Sequence, residues 1–407
     1  MSNVMELEKK YHMQTYGRYP ILFIKGEKQF LYDNKGKKYL DFLCGLGVTS
    51  LGHSNPAVIN AVENQLTKLT HVSNLFFTEP QAKLAKKLVD VSIKNGQVFF
   101  SNSGAEANEA AVKLVRRWAK IGGRTKPEII TAYNSFHGRT LKMLAATGQP
   151  DKQKPFEPLP PGFKHVAFND LKALKKAITS QTAAIMLEVI QGEGGVYCAD
   201  KIYLKEVAAL CKQKNILLLF DEVQTGLART GKLFAYENFG IKPDIITVAK
   251  ALGNGFPIGA CIAKKKIASA FKKGDHGSTF GGGPVPCTAA LAVLDYMQKK
   301  KLAEKAADTG KYLKKIISEQ LGDYIEEIRG LGLMLGLKTK EPYASQVTAK
   351  ALENGLIVNN IGERTVRLLP PLIIDKKDCD KAINILKNIF EALDAGTRHQ
   401  APEIRRI

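Results

Sequence analysis

The chain has 407 residues, more than one hydrophobic core ordinarily serves, so two or more domains are expected. An apolar fraction of 44% supports a sizeable core, no run of about eighteen apolar residues offers a membrane span, and the start MSNVMELEKK carries no apolar signal core, so a cytoplasmic protein is expected. The charge of +21 invites a nucleic-acid reading, but the lysines recur at helical spacing in LKALKKAI, AKKKIASAFKKG and KYLKKI without an arginine–aromatic cluster; they read as solvated helix faces, whose field would still favour an anionic substrate.

In chain order, residues 16–43 alternate as strands around a turn at Asn34, Lys35 and Gly36. Asn55 and Pro56 open a helix with an apolar face of Val58, Ile59, Val62, Leu66 and Leu69. Thr78 and Gln81 form a capping box for the next helix, which carries Leu84, Leu88 and Val91. From about residue 97, strand-like runs (QVFFS, EIITAY, HVAF, AAIMLEVI, ILLLFDEV, DIITVA, IGACIA) alternate with helical patterns at 104–119, 170–179 and 201–214. That is a mostly parallel sheet with helices on both faces. A long helical stretch after about 285, with Leu291, Leu294 and Met297 on one face, leads into a small α+β unit, and the last residues read as a frayed tail. The six cysteines, at 44, 198, 211, 261, 287 and 379, make no CxxC pair and read as buried thiols, with no metal site.

Ligands of open α/β sheets gather at the carboxyl ends of strands. Polar residues stand at five such ends: SNSGAEAN, SFHGRT, Glu188, Asp221–Glu222 and Lys250. Ser103, Gly104 and Ala105 mark a strand-to-helix junction, which is either an anion cradle or an ordinary capped start. Asp221 and Lys250 each follow an apolar run; they either pair with one another or serve a ligand. The GNGFPIG segment fits neither the dinucleotide nor the Walker pattern. Together an anion cradle, an amine and a buried acid suit one cofactor, pyridoxal phosphate, whose aldehyde takes a lysine and whose ring nitrogen takes an acid partner.

The motifs FSNSGAEANEAAVKLVRRW, FHGRT, EVIQGEGGV, LLLFDEVQTGLARTGKLFAYENFGIKPDIITVAKALGNGFPIGA, HGSTFGGGP and VRLLPPLII resemble the aminotransferase subgroup that includes acetylornithine, ornithine and 4-aminobutyrate aminotransferases, over residues 14 to about 393. HVSNLFFTEPQ is most similar to the acetylornithine branch. The resemblance implies the pyridoxal-phosphate fold of type I, an α/β fold with a large, mostly parallel seven-stranded sheet domain and a smaller α+β domain. The implied division is an N-terminal segment 1–55, a cofactor domain 56–290, a small domain 291–395 and a tail 396–407. It also implies roles. Lys250 would form the imine and shuttle the proton, and Asp221 would pair with the ring nitrogen. Phe136 and Val223 would cover the ring faces, Gln224 would bond the ring hydroxyl, and Ser103, Gly104 and Ala105 would hold the phosphate. Thr279 would reach the phosphate of a neighbouring subunit, so a homodimer with shared sites is implied. Arg367 would clamp the α-carboxylate of 2-oxoglutarate or glutamate, Arg139 a second carboxylate, and Glu193 would mask Arg367 when the donor reacts through a side-chain amine. Glu188 would support this set, while His137 reads as a packed neighbour. The sequence departs from the family pattern at Asn254, Val189 and Gly283, where glycine, proline and asparagine are usual.

The expected reaction is transfer of the side-chain amino group of acetylornithine to 2-oxoglutarate. Succinylornithine, succinyl-diaminopimelate, ornithine or a carrier-bound lysine precursor are the rival donors. A basic nucleic-acid-binding protein without catalysis, and a mutase or decarboxylase, are the readings from other classes; intact Lys250 and Asp221 speak against the first.

Overall fold

The computed structural model describes residues 2–398. The N-terminal part forms β1 (Phe23–Glu27), β2 (Phe30–Asp33) and β3 (Lys38–Asp41). The β2–β3 turn forms as expected: Asp33 Oδ1 accepts from the backbone N–H of Lys35 and Lys37, and Gly36 takes the positive φ of +81° that closes it.

The central sheet is built from β4 (Gly96–Ser101), β5 (Glu128–Ala132), β6 (Phe163–Val166), β7 (Thr182–Leu187), β10 (Leu217–Asp221), β11 (Ile245–Val248) and β12 (Gly259–Lys264); a short hairpin of β8 (Ile190–Gln191) and β9 (Tyr197–Cys198) follows β7. The strand order is β4-β12-β11-β10-β7-β5-β6, with β12 antiparallel to both neighbours and the other pairs parallel. Because β12 reverses twice, β4 runs the same way as the rest. The carboxyl ends of β4, β5, β7, β10 and β11 therefore share one edge, which places the five polar segments together. Every residue of β7, β10 and β11 is buried, as their unbroken apolar runs require.

The C-terminal part contains β13 (Ile325–Leu331), β14 (Met334–Thr339), β15 (Leu356–Ile357), β16 (Asn359–Ile361) and β17 (Thr365–Leu368). The antiparallel sheet has the order β13-β14-β17-β16, while β15 pairs in parallel with β3. The N-terminal and C-terminal parts thus share a sheet through β3 and β15.

Some local readings change. Asn55 caps its helix through Ala57 N, but the helix ends at Leu66, short of Leu69, and only Val58 and Val62 of the expected face are buried; Ile59 and Leu66 stay exposed, because the helix packs along one side on Pro284–Lys299, and Leu69 is exposed beyond its end. The Thr78–Gln81 capping box does not form: the Thr78 hydroxyl has no hydrogen-bond partner among the described residues, and the Gln81 side chain turns away to donate to Asn74 Oδ1. The long helical stretch after 285 is two helices, Pro284–Lys299 and Leu302–Leu321, broken where Lys301 takes φ +50°. The last helix runs to Arg398, so Asp394 to Arg398 are helical, and the rest of the expected tail, 399–407, lies outside the described residues. All six cysteines are free and five are buried. No described helix is long and apolar enough to cross a membrane.

Arg229 ties the parts together. Its side chain is fully buried and donates to Leu333 O and Pro370 O from the C-terminal part, and to Ser50 Oγ (3.0 Å) and Cys44 Sγ (3.4 Å) from the N-terminal segment. Replacing it with methionine strands several buried acceptors. Arg229→Met is expected to lower the unfolding free energy by about 2–5 kcal/mol, read from urea denaturation; a loss below about 0.5 kcal/mol would contradict this hub role.

Candidate functional site

A cavity of about 390 Å³ opens at the carboxyl edge of the central sheet. Ser103, Gly104, Ala105, Phe136, Arg139, Glu188, Glu193, Asp221, Val223, Gln224 and Lys250 all line it. Eleven of the thirteen residues singled out from sequence therefore meet in one hollow. Arg367 lies behind Glu193, and Thr279 is exposed elsewhere, in a shallow depression with Asn74 and Gly281.

Asp221 ends β10 and is only 4% exposed. A carboxylate there must find donors. Its Oδ2 accepts from Asn108 Nδ2 and from His137 Nδ1, both at 2.8 Å, and its Oδ1 accepts from Val223 N at 3.0 Å. Asn108 is oriented in turn by Thr247 Oγ1, which donates to Asn108 Oδ1 at 2.6 Å from the residue facing Asp221 on β11. A carboxylate has about four acceptor sites, so room for a further donor from the cavity remains. No ion pair joins Asp221 to Lys250 within 4.0 Å among the described residues, so the two are not each other's structural partners.

Lys250 follows β11 and begins a 3-10 turn with φ +46°, a conformation costly for a side chain with a Cβ. Burial lowers its pKa; the carboxylates of Glu193, Asp221 and Glu188 act in the opposite sense but do not cancel it. The turn is fixed from outside by Asn254, whose Oδ1 accepts from Leu51 N (2.8 Å) and whose Nδ2 donates to Gly52 O (3.1 Å). The departure from glycine at 254 is thus an anchor between the lysine turn and the segment carrying Val48, another lining residue.

On the far side Ser103 caps the helix Gly104–Ile121, its Oγ accepting from Glu106 N, and that helix points its N-terminus into the cavity. A Cβ at Gly104 would stand 2.7 Å from Val223 Cγ1, so any larger residue there would push Val223 out of place. Glu188 joins two walls, accepting from Phe136 N (2.8 Å) and Gly192 N (3.1 Å). Arg139 is exposed at the rim, its guanidinium 5.6 Å from the centre of the Phe136 ring. Arg367 is fully buried on β17; Nη1 donates to Glu193 Oε1 (2.7 Å) and Gly192 O (2.9 Å), and Nε to Asn359 Oδ1 (3.1 Å). Burial would raise the Glu193 carboxyl, but Arg367 overrides it and holds the group below its usual range.

Two partners of Asp221 are not foreseen from sequence. Asn108 is a lone polar residue on the alanine-rich buried face of its helix, a signal that was present. His137 is packed, as expected, yet it also bonds Asp221, and its Nε2 has no hydrogen-bond partner among the described residues. The expected pyridoxal phosphate fits these residues: an anion cradle at a helix N-terminus, glycine where the wall must come close, an acid with spare acceptor capacity, and an amine of lowered pKa.

Comparison with known proteins bears on the same residues. The model of the family described as Aminotransferase class-III matches residues 11–390. The chain is 51% identical over 391 residues to an acetylornithine aminotransferase of Methanocaldococcus jannaschii, covering 95% of this chain and 98% of that protein. It is 48% identical to the acetylornithine aminotransferase of Caldanaerobacter subterraneus, with 95% and 98% covered. Among solved structures, an ornithine aminotransferase from Toxoplasma gondii, described with partial occupancy of PLP at its active site, superposes with a TM-score of 0.93 at 32% identity, covering 98% of this chain and 96% of that one. The acetylornithine aminotransferase of Elizabethkingia anophelis gives 0.86 at 33%, with 96% and 99% covered.

The site also makes a pH prediction. Burial pushes Glu188 (6% exposed) and Glu222 (1%) up to about 7, despite the donors that each accepts. A carboxyl whose folded pKa lies above its unfolded value of about 4.5 binds a proton more tightly when folded. Stability is therefore expected to fall as pH rises from about 4.5 to about 7 and to level off above, by up to about 1.4 kcal/mol per pH unit for each group. Urea unfolding of the cofactor-free protein across this range should give a shallower slope for Glu188→Gln; an unchanged slope contradicts the assignment.

Proposed function

This chain belongs to the class-III aminotransferases, and from that premise we propose that it transfers the side-chain amino group of N2-acetyl-L-ornithine to 2-oxoglutarate, giving N-acetyl-L-glutamate 5-semialdehyde and L-glutamate. It is a pyridoxal-phosphate-dependent transaminase. The names of the relatives at 51% and 48% identity support the donor. The observation that carries the reading is the Arg367–Glu193 pair, a buried cation with a detachable counter-ion beside the lysine turn. An acceptor dicarboxylate must place a carboxylate near the reacting carbon, whereas a donor reacting through its side-chain amine places none there. A cation that either binds the acceptor or is masked by Glu193 serves both.

Bound there, pyridoxal phosphate supplies an aldehyde that takes up the amino group and a cationic ring that accepts the electrons released when the adjacent carbon loses its proton. The residues do the rest. The Ser103–Ala105 amides would hold the cofactor's phosphate. Phe136, Val223 and Gln224 would hold its ring, and Asp221, kept in place by His137 and Asn108, would keep the ring cationic. Lys250 would hold the cofactor through its amine, and with its pKa lowered by burial the free amine would suit taking up and giving back a proton beside the reacting carbon. Arg139 grips the second carboxylate from the rim. Donor and acceptor then react in turn on one cofactor, so ping-pong kinetics are expected.

A homodimer with shared sites belongs to this reading. Leu75 (85% exposed), Phe76, Phe77 and Phe280 form large exposed apolar groups around Thr279, and the unburied Ile59, Leu66 and Leu69 add to them. Such a surface suits a second copy, and Thr279 would reach that copy's phosphate.

The test is a donor panel with 2-oxoglutarate. Acetylornithine is expected to give the highest kcat/KM, ahead of succinylornithine, ornithine, succinyl-diaminopimelate and 4-aminobutyrate; another donor in front overturns the assignment. Arg367→Ala should weaken the half-reaction with glutamate or 2-oxoglutarate by roughly a hundredfold, as for loss of a charged bidentate contact, and that with acetylornithine far less. Equal losses in the two half-reactions remove the proposed role of Arg367.

A further inference from the structure

We propose that Arg329 is a positioning residue of this reaction, which seats the hairpin carrying Glu193 and so sets how readily Arg367 changes partner; this rests on the Arg367–Glu193 reading above. On the antiparallel sheet of β13, β14 and β17, Arg329 stands opposite Gly336, and Gly336 opposite Arg367. Directly opposed residues point to the same face, so two arginines share that face with a glycine between them, about 10 Å apart by two strand spacings.

The β8–β9 hairpin lies across this row. A Cβ on Gly336 would stand 2.9 Å from Val196 Cβ and 3.1 Å from Gly195 O, so the glycine is what lets the hairpin settle onto the sheet. At one end Glu193 bonds Arg367. At the other, the Arg329 guanidinium stands 4.0 Å from the centre of the Tyr197 ring.

Besides the ring, Arg329 is answered by one looser ion pair. Its side chain is 5% exposed, Nη2 donates to Thr365 Oγ1 at 2.9 Å, and Nε pairs with the half-exposed Glu327 carboxylate at 3.6 Å. Nη1 has no hydrogen-bond partner among the described residues. A desolvated cation over an aromatic face is a strong case of that contact.

The hairpin is strained where it must be held. Val196, β-branched and fully buried, takes φ +60°, which such residues adopt only when their surroundings force it. Within the hairpin, Val196 N donates to Gln191 O, and Gln191 is held by Tyr133 O. Tyr197 pins the opposite end. Loosening that pin lets the strain relax and makes Glu193 easier to displace from Arg367. A dicarboxylate then competes with a weaker occupant and binds more tightly, while the masking needed by the donor is less complete.

The test compares Arg329→Met and Arg329→Lys holoenzymes in the two half-reactions. Arg329→Met is expected to lower KM for 2-oxoglutarate and raise KM for acetylornithine, each by about threefold, the factor expected from one cation–π contact, with the lysine variant largely restored. A folded Arg329→Met enzyme in which both KM values stay put, or move together, overturns the proposal. Tyr197→Leu, which removes the ring and leaves the arginine, should give the same opposed shifts and serves if Arg329→Met does not fold. A double-mutant cycle on thermal unfolding gives a readout independent of turnover: the two substitutions should be clearly non-additive, and additivity overturns the contact. Glu193→Gln separates the two levels. A ratio of KM values unchanged in Glu193→Gln overturns the switch and this proposal with it, whereas a ratio that moves there but not in Arg329→Met overturns this proposal alone.

Discussion

The hydrogen-bonded carboxylate of Asp221 is the constraint from which the rest follows. A charged group at the end of a fully buried strand is tolerable only if its oxygens are satisfied, and Asn108, His137 and Val223 N do this from three different segments. Each donor fixes something else. Asn108 orients the helix whose N-terminus faces the cavity, His137 fixes the loop that carries Phe136 and Arg139, and Val223 N fixes the residue that packs against Gly104. Satisfying one buried acid thus assembles the walls of the cavity.

Lys250 and Arg367 complete the electrostatics in opposite ways. Lys250 has no ion-pair partner among the described residues and is driven toward its neutral form by burial, whereas Arg367 is paired with Glu193 and bonded to Gly192 O and Asn359. In the proposed mechanism these states match the tasks: an amine ready to take a proton, and a cation whose partner a substrate carboxylate can replace. Neither would be built by local sequence alone, since Arg367 comes from the C-terminal sheet and meets a hairpin that follows β7.

The central sheet was legible because buried parallel strands leave a simple trace, an apolar run closed by a polar residue, and Asp221 and Lys250 stand out against such runs. Asn108 left a trace as well, a polar residue among alanines, but its tie to Asp221 did not show in the sequence. What depends on distant chain was not. The Thr78–Gln81 box fails for a nearer reason, since the Gln81 side chain turns to Asn74 seven residues upstream, a contact that the box pattern does not encode. The exposed Ile59, Leu66 and Leu69 look like core by spacing, since periodicity cannot tell an intramolecular face from one left open. The role of Asn254 lies in two backbone groups some two hundred residues upstream. The alignment of Arg329 with Arg367 lies in strand register, which spacing along the chain does not reveal.

All of this supposes that the amine at position 250 is where the cofactor attaches. Incubating the protein with pyridoxal 5'-phosphate, reducing it with borohydride and locating the phosphopyridoxyl group by peptide mass spectrometry tests that directly. In a chain so rich in lysine, the account predicts stoichiometric label on the peptide containing Lys250. Label scattered over surface lysines, with Lys250 unmodified, would contradict it.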